Sequence, residues 1–192
     1  MMPQEKNMQE YAELQYKYLA EAEEMFGPRT DYQYIGLFYH NFAPRVIMHD
    51  HDFLTGEYFY KIELCGKAIN DRTDGILQLS HEVIHLLSPV EQDGDNVANY
   101  LEEGIATYFS QIITERDTRD YAICPAALAS RPNYLRAYEL YKFLIAIDNN
   151  AVKKLREITP VIAHIKPEDF VQAGLQVGSE LIYELLRKFE QH

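Results

Sequence analysis

The sequence predicts an α+β fold, on three observations. Strand-like sequence is confined to a stretch between about residues 32 and 64. A helical run precedes it, and everything after Asp74-Gly75 reads as helices. Helices and strands segregated in this way favour α+β over a doubly wound parallel sheet. With 192 residues, 47% of them hydrophobic and 25% charged, the chain can bury one sizeable core. One domain is expected, with a helix-plus-sheet lobe over about 1–75 and a helical lobe over about 76–192.

Pro3 to Phe26 is rich in Ala, Glu, Leu and Met and stops at Gly27-Pro28, so it predicts the first helix. Tyr32 to Tyr39 is aromatic and β-branched, Arg45 to Met48 follows Pro44, and Glu57 to Leu64 alternates around Tyr58, Tyr60 and Ile62. These three runs predict an antiparallel or mixed sheet. Ile76 to Leu87 reads as a helix ended by Ser88-Pro89, and Asn96 to Glu115 as a longer one capped by Asp95 after the Asp93-Gly94-Asp95 turn. Pro125 to Pro132 is irregular or a short helix. Asn133 is placed to cap a helix over Tyr134 to Ile147, and Val152 to Ile158, Pro167 to Ala173 and Ser179 to Phe189 complete the helical half.

The chain carries 18 Lys and Arg against 30 Asp and Glu, a net charge of −12. Nucleic acid and anionic membrane both demand a basic footprint, and none is present, so neither is expected as a partner. The densest basic cluster, Lys153-Lys154-Leu155-Arg156, reads as a solvated helix face. No apolar run is long enough to cross a bilayer, and Met1 to Glu10 has no signal-like apolar core. Cys65 and Cys124 stand alone, without paired metal-ligand spacing, which suits reduced thiols and a cytoplasmic location.

The chemistry concentrates in His81-Glu82-Val83-Ile84-His85. On a helix of about 100° per residue, with His81 at zero, His85 falls near 40°, Gln78 near 60° and Glu82 near 100°. The remaining arc is filled by Leu, Ile and Val, so this helix is buried and keeps its polar groups on one side. Two bare imidazoles and a carboxylate buried there would be costly, and a metal ion shared by the two His removes that cost. Glu82 is then placed to accept a proton from a water at the metal. A zinc site needs a third protein ligand. On the next helix Glu103 shares a polar arc with Asn96, Asn99, Thr107 and Ser110, whereas Glu102 falls between Phe109 and Ile113 on the apolar side. Gly104 and Ala106 would allow this helix to approach the His81 helix closely.

The pattern His81-Glu82-x-x-His85 followed by Glu103-Gly104-Ile105-Ala106 resembles the gluzincin metallopeptidases, the clan of thermolysin and aminopeptidase N. Seventeen residues separate His85 from Glu103, a spacing within that clan's range. The metzincin extension His-x-x-Gly-x-x-His is absent, since Leu86-Leu87-Ser88-Pro89 follows His85. The resemblance implies a small thermolysin-like zincin core, a Zn2+ cofactor held by His81, His85 and Glu103, Glu82 as general base, and a peptide or protein substrate. Tyr134-Leu135-Arg136-Ala137-Tyr138 is similar to the Tyr-x-x-Gly-aromatic segment of aminopeptidase N relatives, with Ala137 in place of Gly. That similarity implies Tyr134 as the oxyanion donor, with Tyr138 and Tyr141 as rivals. The Gly-x-Met-Glu-Asn strand of the aminopeptidases is not found, and Glu63 or Glu57 could serve instead as an amine anchor.

The remaining clusters are weaker. His49-Asp50-His51-Asp52, with His40 nearby, could hold a second metal, but a solvated turn explains it as well. Asp93-Gly94-Asp95-Asn96 lacks the other ligands of a calcium loop. Thr107 and Asn99, one turn either side of Glu103, are candidates to orient a ligand His or simply fill a polar face. His164 is a surface or core histidine, or a second oxyanion donor. The expectation is therefore a zinc-dependent peptidase. The alternatives are a non-catalytic zinc-binding module of the same type and a helical protein without metal. Glu57 to Leu64 is expected to form the sheet edge along which a peptide docks, and the Pro3–Phe26 helix is a candidate to occlude the site.

Overall fold

The computed structural model describes residues 2–90 and 97–190. Helix α1 (Pro3–Phe26) is followed by strands β1 (Gln33–His40), β2 (Arg45–Asp52) and β3 (Glu57–Cys65), a 3₁₀ turn (Gly66–Ile69), and helices α2 (Arg72–His85) and α3 (Tyr100–Thr118). Helices α4 (Ile123–Ala129), α5 (Pro132–Ile147), α6 (Ala151–Ile158), α7 (Pro167–Gln172) and α8 (Ser179–Leu186) complete the α+β architecture. Buried side chains from α1, β3, α2, α3 and the later helices form one hydrophobic core.

The sheet is mixed, in the order β1-β3-β2. β1 runs parallel to β3, and β2 runs antiparallel to it through a tight hairpin at Gly56, whose φ of 75° suits glycine. β3 is therefore the central strand, which corrects the expectation that Glu57 to Leu64 is an edge. The free edge nearest the motif helix belongs to β2. Ile62 and Leu64 of β3 pack into the core against α2, whose Ile76, Leu79, Val83 and Ile84 are all fully buried. α3 lies on the other side of α2 and is in turn covered by α5. Enclosed on both sides, α3 is buried around most of its circumference.

Several boundaries differ from expectation for local reasons. α2 begins four residues before Ile76, because the Asp71 side chain accepts hydrogen bonds from Thr73 N and Asp74 N and caps it. Gly75 is no turn residue: a Cβ there would lie 2.1 Å from the Tyr11 hydroxyl of α1, so glycine allows the two helices to meet. α3 starts at Tyr100, capped by Asn99, whose Oδ1 accepts from Glu102 N. The Asp93-Gly94-Asp95 turn, its candidate cap and Asn96 lie outside the described residues. Asn133 does not cap α5, which starts at Pro132; its amide donates instead to Glu190 O at 2.7 Å. Gly104 faces α5 rather than α2, for its Cβ would meet Ala137 O at 2.5 Å.

The basic run on α6 is not a solvated face throughout. Arg156 is buried, and its guanidinium donates to the carbonyl oxygens of Phe26, Gly27, Pro28, Leu87 and Pro160 at 2.7–3.1 Å. It ties the end of α1 and the segment just after α2 to α6. Burial lowers its pKa from the usual arginine value.

Candidate metal centre

α2 and α3 bring His81, His85 and Glu103 together. One donor atom from each lies within 4.8 Å of the others, the only such group of His, Cys, Asp and Glu among the described residues. His81 Nε2 is 3.2 Å from Glu103 Oε2, and His85 Nε2 is 3.7 Å from Glu103 Oε1. Tetrahedral zinc with donors at about 2.0–2.1 Å holds those donors roughly 3.3 Å apart, so the spacing fits. Glu103 is buried, and its Oε2 has no hydrogen-bond partner although His81 lies close. A buried carboxylate oxygen left in this state is costly unless a cation takes it. The donor set of two imidazoles and a carboxylate also matches zinc chemistry.

The second nitrogen of His85 is held from outside the donor group. His85 Nδ1 lies 2.8 Å from Glu102 Oε1. With Nδ1 donating to this carboxylate, Nε2 is the nitrogen that faces the site and would ligate a metal on giving up its proton. Glu102 was missed because a helical wheel places it between Phe109 and Ile113. On a helix covered on both sides, an apolar flank is also an interior one, and Glu102 reaches back to α2 from it. The adjacent pair Glu102-Glu103 on a buried helix was the available signal. Asn99 caps α3 and Thr107 Oγ1 is buried without a partner, so neither hydrogen-bonds a ligand His.

Charge is dense here. Burial would push His85 down, but the Glu102 hydrogen bond and the charges of Glu103 and Glu102 outweigh it and raise the pKa to about 10. Burial also acts to raise Glu103, yet the close approach of His81 and the charges of the two imidazoles hold it below the usual carboxylate range. Glu82 is different: burial raises its pKa, only partly offset by His85 and His81 and by the Val46 backbone N–H of β2.

These groups line a cleft of about 500 Å³. Pro44 with Arg45 and Val46 of the β2 edge forms one wall, and Val97, Ala98, Tyr134, Phe189 and Glu190 contribute to the rest. Tyr134 lines it with its ring 5.9 Å from that of His81. Burial and the charges of Glu103 and Glu82 push its phenol upward, so it stays protonated and able to donate. Its rivals lie elsewhere: Tyr138 and Tyr141 pack against Tyr108 and neither lines the cleft.

Other sequence candidates do not join the site. Glu63 is paired with Lys61 and Arg45 at 2.8 Å each, and Glu57 bonds Gln33 and Thr55. Neither lines the cleft, so neither is a free amine anchor. In β2 the register slips between Met48 and Asp50, making His49 an extra residue and breaking the alternation that would set His49 beside His51. His51 stacks on Tyr58, and Asp52 Oδ1 accepts from Leu54 N in the hairpin. His40 stacks on Phe42. His164 lines a smaller neighbouring pocket with Tyr32, Tyr58 and Tyr60. No described residue of α1 lines the cleft, so that helix does not occlude it. No helix among the described residues is long and apolar enough to cross a membrane. No family model, curated protein or solved structure matches the chain.

Proposed function

We propose that this protein is a zinc-dependent hydrolase of gluzincin type, a peptidase acting on peptide or protein substrates in the cytoplasm. The observation that carries the reading is the convergence of His81, His85 and Glu103 beside a buried Glu82, with Glu103 Oε2 3.2 Å from His81 Nε2 but making no hydrogen bond. The order of parts supports it: a sheet edge, then a helix bearing His-Glu-x-x-His, then a helix bearing the third ligand. A purely structural zinc site is closed by four protein ligands, whereas these three donors border an open cleft, which favours catalysis over a non-catalytic zinc module.

His81 Nε2, His85 Nε2 and the Glu103 carboxylate would hold the zinc, which when bound would supply a Lewis acid to acidify water and polarise a carbonyl. Glu102 holds the His85 ring in the ligating tautomer. Glu82 accepts a proton from the attacking water at its carboxylate and delivers it to the leaving amine. A pKa raised by burial suits a group that must both take and release that proton. The Tyr134 hydroxyl donates to the carbonyl oxygen as negative charge builds there. β2 pairs on one side only, so its other edge is open to an extended peptide in the cleft.

The test is Glu82→Gln. It is expected to retain zinc and lose turnover of a mixed peptide library by at least about a hundredfold, the low end for losing a general base. Retained turnover in that variant would sink the mechanism.

A further inference from the structure

At the mouth of the cleft stands one basic side chain, and its setting is unusual. Arg45 lines the cleft together with Glu82, Glu102, Glu103 and Glu190, and among the described residues no Lys or other Arg lines it. Its Nε and Nη2 both donate to Glu63 Oε2, at 3.0 and 2.8 Å. The other oxygen of Glu63 is taken by Lys61 at 2.8 Å. Glu63 itself is buried on the central strand, with 7% of its surface exposed. One buried carboxylate therefore serves two cations, and the Arg45–Glu63–Lys61 group keeps an excess of one positive charge. Lys61 is 18% exposed and lies over the Phe38 ring, while Arg45 is 43% exposed and borders the cleft. The excess charge is thus presented at Arg45, where Nη1 makes no hydrogen bond to a described residue.

The group is also held in place. Glu63 is fixed in β3 opposite Arg45 in the β2–β3 ladder, so the guanidinium is oriented before any ligand arrives. The next residue, Val46, lines the same cleft as Glu82. A peptide lying along the β2 edge over Glu82 therefore passes Arg45 within a residue or two. Guanidinium groups held in a fixed fork are selective for planar carboxylates. The molecule as a whole, at −12, repels an acidic ligand. A carboxylate is therefore accepted at one place in the cleft rather than anywhere on the surface.

We propose that Arg45 is a specificity-determining residue, anchoring a substrate carboxylate so that the cleft selects peptides bearing an acidic side chain or a free C-terminus close to the bond over Glu82. This rests on the peptidase reading of the same cleft, and the test separates the two. Zinc-loaded Glu82→Gln protein is titrated calorimetrically with N-acetylated hexapeptides. One series is amidated and carries Glu at each position in turn, one carries Gln with a free C-terminal carboxylate, and one is Gln-containing and amidated. At least one carboxylate-bearing peptide is expected to bind about tenfold or more tighter than the neutral peptide. The preference should vanish in Glu82→Gln/Arg45→Met and survive in part in Glu82→Gln/Arg45→Lys. A gain in the amidated Glu series assigns the anchor to a side chain, and a gain with the free carboxylate assigns it to the terminus. Equal binding of all peptides, absence of binding, or a preference that persists in Arg45→Met overturns the proposal. Zinc content measured on the same samples reports separately on the metal site. A carboxylate preference in protein that takes up no zinc would refute the peptidase reading and leave the Arg45 anchor standing.

Discussion

His85 Nδ1 and Glu102 Oε1 meet at 2.8 Å, so the second histidine of the motif is oriented by the carboxylate next in sequence to Glu103, the proposed third ligand. One turn of α3 thus supplies both Glu103 and the group that fixes its partner ring. Asn99, whose side chain caps Glu102 N, sets the start of that turn. Glu102→Ala should weaken zinc affinity by about 10–100-fold, the usual cost of losing such a partner. Glu102→Gln, which keeps an acceptor, should lose less. Competition with a chromogenic chelator measures both.

Gly104→Ala should destabilise the fold by about 1–3 kcal/mol, the range for overpacking a closed interior. The new methyl would meet Ala137 O at 2.5 Å and Tyr141 Cβ at 2.8 Å, and a backbone carbonyl has little freedom to move aside. Urea unfolding gives the number, and a change below about 0.5 kcal/mol would show that α3 and α5 are not in close contact.

Arg156→Met should cost about 3 kcal/mol or more, because several buried carbonyl oxygens would lose their donor together. Arg156→Lys should recover only part of the loss, since an ammonium cannot span the same fork. Thermal melting of the two variants orders them.

Asp117 gives a pH dependence. The Arg116 hydrogen bond, helped by the Tyr18 hydroxyl and opposed by burial, lowers its pKa to about 2. The unfolded value is near 3.9, so the folded state binds the proton less readily. Its contribution to stability is full above about pH 4 and is lost as pH falls toward 2. The melting-temperature gap between wild type and Asp117→Asn should be open at pH 6 and shrink over that window. A gap that widens on acidification would contradict the assignment.

Much of this molecule is legible from local sequence. The α1 bounds follow from helix formers ending at Gly27-Pro28, and β1 and β3 from their aromatic and β-branched runs, whereas β2 runs on from Met48 through His49-Asp50-His51-Asp52, which reads as a solvated turn. His81, His85 and Glu103 could be brought together because helical spacing and facing are local properties. What local sequence hides is long-range. The central position of β3 depends on β1 pairing across the β2 hairpin. Gly75 looks like a turn until Tyr11, far back in the chain, is laid against it. Arg156 looks solvated because its carbonyl partners at Phe26, Gly27 and Pro28 lie about 130 residues away. Glu102 looks apolar-facing because a wheel for one helix knows nothing of the neighbours on its two sides.

The most direct measurement is zinc content by elemental analysis on wild type and Glu103→Ala, after dialysis against a weak chelator. One zinc per chain in wild type and much less in the variant is the predicted result. No zinc in wild type even after add-back, or equal zinc in both proteins, would contradict a site built from His81, His85 and Glu103.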